Sequence, residues 1–217
     1  MKILLLAAFL LICSVTLFAQ TPFYNDIQKF RKQDSAQFPA KRSILFIGSS
    51  SFTMWKDVQD YFPGYTIINR GFGGSTLPDL IRYVNDIVVP YKPKQVVIYC
   101  GENDIASSDT ITAETVAQRF VTLFETIRKI YPKVPIAFIS MKPSPSRERF
   151  LPKLQSANQQ IRDYITTQKR TAYIDVYPYM MRENGSPRKA LFTEDMLHMN
   201  KNGYAIWQYA ILPYLKK

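Results

Sequence analysis

Histidine is nearly missing from this chain: 217 residues contain one, His198. Cysteine is also scarce, with only Cys13 and Cys100. So few imidazoles and thiols do not make a zinc site, and no metal or other cofactor is expected. Cys13 lies in a segment read below as removable. Cys100 then stands alone, no internal disulfide can form, and the fold must rest on its core. The chain also lacks a dense basic run, although 28 Lys and Arg outnumber 17 Asp and Glu for a net charge of +11. A scattered excess of cations in an exported chain argues against nucleic acid and for a solvated basic surface. Attraction to acidic polysaccharide or anionic headgroups is the second reading.

Long apolar runs are missing too. Ile3 to Ile12 is the apolar stretch, too short for a transmembrane helix of about 20 residues. It follows Lys2 and leads to Leu17-Phe18-Ala19-Gln20. That order reads as an export signal, residues 1–19, cleaved after Ala19, for a periplasmic or secreted protein. An uncleaved anchor is the alternative. A lipoprotein reading at Cys13 is opposed by the bulky Ile12 beside it. Residues 20–217 form one expected domain, with no repeat, low-complexity tract or linker to divide them.

Short β-branched runs alternate with helical patterns. The expected strands are Ser43–Gly48, Tyr65–Asn69, Gln95–Cys100, Pro135–Ser140 and Ala172–Val176. The expected helices are Tyr24–Ala36, Leu77–Val88, Ala113–Ile130, Leu151–Gln168 and Lys201–Leu215. This alternation predicts an α/β fold with a five-stranded parallel sheet and helices on both faces. Ligands of such sheets bind beyond the carboxyl ends of the strands, so chemistry belongs in the segments that follow them.

Those segments are Gly48-Ser49-Ser50-Ser51, Gly71-Phe72-Gly73-Gly74, Gly101-Glu102-Asn103-Asp104, Met141 to Arg147, and Asp195-Met196-Leu197-His198. Acyl transfer needs a nucleophile, a base with an orienting partner, and donors for an oxyanion. Ser50 can supply a hydroxyl and its own backbone N–H. Glycines let backbone approach a ligand closely. Asn103 has an amide donor. His198 is the only imidazole, and Asp195 three residues earlier would share a face with it if the segment makes a helical turn. Each piece also has a plain structural reading. Gly-Ser-Ser-Ser can be a turn and helix cap, the glycines a positive-φ loop, Asn103 and Asp104 capping residues, and His198 a surface side chain near the last helix.

Together and in this order, the four segments other than Met141 to Arg147 resemble those of the SGNH hydrolases, the GDSL-type esterases and lipases. The resemblance runs from about Ile44 to Tyr214. It implies a flavodoxin-like three-layer α/β/α sandwich. It also implies Ser50 as nucleophile, Asp195 and His198 as its triad partners, and Ser50, Gly74 and Asn103 as the oxyanion hole. The chain departs from the family in one block, where Ser49 and Ser51 replace the Asp and Leu of Gly-Asp-Ser-Leu. Three adjacent serines leave the nucleophile ambiguous, and the offset from the strand end favours Ser50.

The expected function is an exported serine esterase acting on short acyl esters, acetyl above all, on small molecules or carbohydrates. Phe52, Trp55, Phe72 and Phe192 are candidates to stack on a sugar, with core packing as the competing role. A lysophospholipase or thioesterase is the alternative enzyme. A polysaccharide-binding module of the cell envelope is the non-enzyme alternative.

Overall fold

The first strand is apolar on both faces, as a strand covered by helices on each side must be. In the computed structural model, which describes residues 21–217, all five residues of β1 (Ile44–Gly48) are buried. The expected signal segment, residues 1–19, lies outside the described residues. The other strands are β2 (Ile67–Gly71), β3 (Gln95–Tyr99), β4 (Ile136–Ile139) and β5 (Thr171–Ile174). All pair in parallel, in the order β2-β1-β3-β4-β5.

The helices are α1 (Tyr24–Ala36), α2 (Ser50–Thr53), α3 (Val58–Tyr61), α4 (Leu77–Arg82), α5 (Val84–Ile87), α6 (Glu102–Ser107), α7 (Ala113–Ile130), α8 (Leu151–Thr167) and α9 (Lys201–Ile211). Successive strand residues point to opposite faces. Leu45, Ile47, Val96, Ile98 and Phe138 therefore join one core with side chains of α4, α7 and α8. Ile44, Phe46, Val97, Tyr99 and Ile139 join a second core with Phe52, Trp55 and Trp207. This is the α/β/α sandwich expected.

Several boundaries differ from expectation for physical reasons. The strand expected at Tyr65–Asn69 lies two residues later. It runs on through Asn69 and Arg70 because tertiary partners satisfy them. Arg70 is buried, pairs with Asp34 and donates to the Tyr91 hydroxyl at 2.6 Å. The helix expected over Leu77–Val88 breaks at Tyr83 (φ −102°, ψ 13°). The Tyr83 ring packs edge-on against Phe72 and its hydroxyl donates to the Pro22 carbonyl. The last helix tightens into a 3-10 turn over Leu212–Tyr214, where Pro213 has no N–H to give. The short helices α2, α3 and α6 carry too few residues for a periodic signal.

Chain direction positions the site. From β1 the chain moves outward to β2, then returns across β1 to β3. The order therefore switches between β1 and β3, and in sheets of this kind ligands bind beyond the carboxyl ends at such a switch. Ser50 follows β1 and Asn103 follows β3. Gly48 makes the approach possible, since a Cβ there would lie 2.0 Å from the Tyr99 carbonyl oxygen.

Candidate active site

Ser50 is the first residue of α2, where backbone N–H groups have no intrahelical acceptor. Of the three adjacent serines, Ser49 and Ser51 are buried and only Ser50 is half-buried. The Ser51 backbone oxygen accepts from the Tyr204 hydroxyl of α9 at 2.9 Å, which fixes α2 against the last helix. The Ser50 hydroxyl makes no hydrogen bond within the described residues, so the Ser50–His198 bond expected of a triad is not formed here.

The second loop lies against the first. A Cβ on Gly73 would sit 3.9 Å from that of Ser50. Gly74 is exposed with φ +82°, a conformation that disfavours side chains. Asn103 Nδ2 donates to the Ser75 carbonyl at 3.0 Å, tying the third loop to the second. Arg147 donates to Asn103 Oδ1 at 2.8 Å. The two bonds assign the amide, with oxygen toward Arg147, nitrogen toward the second loop, and one N–H left over. Neighbouring Asp104 takes the capping role suggested for this pair. It accepts from Leu77 N–H at the start of α4 and from Arg119. Burial raises its pKa, against those bonds.

Asp195 and His198 are brought together, though not by a helical turn. Their segment is an irregular loop closed by Thr193 N–H donating to the His198 carbonyl at 2.8 Å, with Met196 left-handed at φ 54°. Asp195 Oδ2 lies 2.5 Å from His198 Nδ1. Oδ1 accepts from the N–H groups of Leu197 and His198, both at 2.9 Å, and from the Thr193 hydroxyl at 2.8 Å. Burial opposes the charge, but hydrogen bonds from His198, Leu197 and Thr193 win and hold the carboxyl well below the usual range. An ionised Asp195 can only accept, so the proton of the neutral imidazole sits on Nδ1 and its lone pair on Nε2.

A buried charge cluster beneath these loops went unrecognised in the sequence. Glu102 accepts from Tyr99 (2.6 Å), Lys142 (2.8 Å) and Ser144 (2.6 Å), with Arg147 at 3.4 Å. Lys142 also donates to Ser144, whose hydroxyl reaches the Leu197 carbonyl at 3.5 Å. Burial works against the Glu102 charge, yet Lys142 and Arg147 hold its pKa below normal. Burial likewise pulls Lys142 down, against the pull of Glu102. The visible signal is a charged residue three positions past the end of an apolar strand, at both Glu102 and Lys142.

The proposed sugar-stacking aromatics are corrected. Phe52, Trp55 and Phe72 are fully buried and Phe192 is 5% exposed. They build the core, with Trp55 stacked on Tyr204 at 4.7 Å between ring centres. A cavity of about 260 Å³ lies between Thr53 and Gly71 and the α1 residues Asp26, Lys29 and Phe30, and none of the proposed catalytic residues lines it.

The profile of the GDSL-like Lipase/Acylhydrolase family matches residues 47–206, a span that holds every loop of this rim. The chain belongs to that family. As a GDSL-like acylhydrolase it is a serine hydrolase acting on carboxylic ester bonds, and the binding-module alternative falls away. No curated protein matches it. Among solved structures, the fold of this acylhydrolase is shared by a GDSL-like lipase from Bacteroides thetaiotaomicron (22% identity, TM-score 0.73, 85% of this chain and 94% of that one). A variant of an acetyl-xylooligosaccharide esterase from Geobacillus also shares it (15%, 0.64, 81% and 94%). So does a family 3 carbohydrate esterase from Clostridium thermocellum (15%, 0.60, 80% and 96%).

Proposed function

We propose that this acylhydrolase removes short acyl groups, acetyl foremost, from carbohydrate esters, with Ser50, His198 and Asp195 as the triad. The observation that carries the triad is the set of hydrogen bonds on Asp195. Three donors on Oδ1 and His198 Nδ1 on Oδ2 favour the carboxylate and turn Nε2 of the neutral ring to the serine proton. Ser50 Oγ attacks the ester carbonyl as its proton passes to Nε2. The tetrahedral oxygen is met by the N–H groups of Ser50 and Gly74 and the spare N–H of Asn103. Collapse expels the alcohol, which takes the proton back from His198. Water then repeats the sequence on the acyl-serine, releasing the acid. The Lys142–Glu102–Arg147 cluster has a net charge of +1 behind Asn103, the favourable sign for an oxyanion.

The carbohydrate assignment draws on the names of the two carbohydrate esterases that share the fold. The export assignment draws on the signal pattern of residues 1–19 and places the enzyme in the periplasm or outside the cell. Purified enzyme is assayed on p-nitrophenyl acetate, butyrate and octanoate and on acetylated sugars. Acetate and butyrate should exceed octanoate in kcat/KM, and a fluorophosphonate should label Ser50 alone. Activity that climbs steadily with acyl length replaces this reading with the lysophospholipase or thioesterase one. Label on Ser49 or Ser51 replaces the nucleophile.

A further inference from the structure

All strands of a parallel sheet start at one edge, so the turns entering them share a rim opposite the catalytic one. Lys41 and Arg42 lead into β1, Lys92 and Lys94 into β3, Lys133 into β4, and Lys169 and Arg170 into β5. The C-terminal Lys216 joins them, its backbone N–H donating to Gln95 at the start of β3, and Lys217 follows. All these side chains are exposed except the half-buried Lys94. None has an ion-pair partner among the described residues. The turns 37–43, 62–66, 88–94, 131–135 and 168–171 and the end 212–217 contain no Asp or Glu. Nine cations therefore meet no acid on their own segments, against a whole-chain excess of +11.

Two neighbouring depressions lie in this rim and share Pro135. One, of about 520 Å³, is flanked by Arg42, Lys94 and Lys133. The other, of about 400 Å³, is flanked by Arg170 and Lys216. Arg128 pins the surrounding turns by donating to the carbonyls of Pro132, Val134 and Lys169. Leu212, Tyr214 and Phe38 stand exposed on the same rim.

We propose that this rim docks the protein on an anionic lipid bilayer, with the depressions over headgroup phosphates and the catalytic rim turned away. The cations spread across one level of the fold, which suits a planar anionic surface rather than one polyanionic strand. Exposed Tyr and Leu among them suit headgroup depth, where amphipathic rings and apolar side chains lose water at little cost. The attraction is independent of the ester chemistry, so failure of one assignment leaves the other standing.

The test is co-sedimentation of the signal-free protein with phosphatidylcholine vesicles, with or without phosphatidylglycerol. The wild type should pellet only with phosphatidylglycerol and be released by salt. Each cation near such a surface contributes about fivefold to partition. Lys94→Glu/Lys133→Glu/Arg170→Glu should therefore reduce partition on the order of 10²-fold or more, with hydrolysis of p-nitrophenyl acetate unchanged. Lys32→Glu/Lys153→Glu/Arg182→Glu, the same charge change elsewhere, should cost far less. The single variants Lys133→Gln and Arg170→Gln should each cost about fivefold, which keeps the test open if the triple variant does not fold. The proposal is overturned by equal losses in both triple variants, or by no binding to anionic vesicles at low salt. Retention on polygalacturonate without vesicle binding overturns it as well.

Discussion

The turns leaving the strands and the turns entering them treat charge in opposite ways. On the carboxyl-end rim Glu102, Lys142, Arg147, Asp104 and Asp195 all have hydrogen-bonded partners, most of them on another loop. On the amino-end rim the side chains of Lys41, Lys92, Lys133 and Lys169 are exposed and have no ion-pair partner among the described residues. For Glu102, Asp104 and Lys142 the difference follows from burial, whereas the exposed Asp195 is held by donors of its own loop. A charge taken from water must be paired or its cost falls on the fold, whereas a solvated lysine needs no partner and keeps its side-chain freedom. Pairing between loops also holds side chains in one geometry, which catalysis requires and surface attraction does not. One rim is organised for position, the other for field.

The largest effect that tests this contrast belongs to the triad. His198→Ala should lower kcat on the order of 10⁴–10⁶-fold with little change in melting, because no other imidazole can substitute. Near wild-type turnover would remove the catalytic role from this rim. Asn103→Ala should lower kcat by on the order of 10²–10³ while KM changes little, since the oxyanion carries full charge only near the transition state. If Asn103 merely holds its loop, melting falls instead and turnover per folded molecule persists. Arg147→Met, which frees the Asn103 amide to flip, should give a smaller kcat loss of the same kind, partly restored by Arg147→Lys.

The buried cluster sharpens the comparison through stability. Lys142→Ala leaves Glu102 without its main partner and should cost about 3–5 kcal/mol by denaturant unfolding. Adding Glu102→Gln should recover much of that loss. Because Glu102 titrates below its usual range in the fold, its contribution is present above the unfolded pKa of about 4.3 and fades as pH falls through the folded value. Acid unfolding of Glu102→Gln should therefore be less steep below about pH 4. The smallest effect is on the other rim. Lys133→Gln should change melting stability by less than about 0.5 kcal/mol and leave kcat on a soluble ester untouched. A large loss there would mean that the amino-end cations are structural after all.

Much of the catalytic rim is legible in the chain because strand–helix alternation and the four motif segments are local. Five apolar runs predict five strands, and everything that follows a strand must meet at one edge. The lone His198 requires no choice among candidates. The Asp195 contact is legible as a spacing, but its geometry is not. The spacing suggests a helical turn, and the loop actually closes through Thr193 and a left-handed Met196. The Glu102–Lys142 pair escapes detection because its partners stand 40 residues apart and meet only when β3 and β4 lie side by side.

Composition and local pattern alone determined the fold class and the single imidazole, and the motif segments carried the resemblance to the family, since each depends on residue type and short-range order. Tertiary structure alone decided which of three serines is accessible, which end of the Asn103 amide faces the second loop, and that Phe52, Trp55 and Phe72 are core. It also decided that lysines scattered along the sequence share one rim. They precede different strands by similar offsets, and a parallel sheet brings all its strand starts to the same edge. Burial, amide orientation and charge clustering are relations between distant segments, and those relations exist only once the strands have paired.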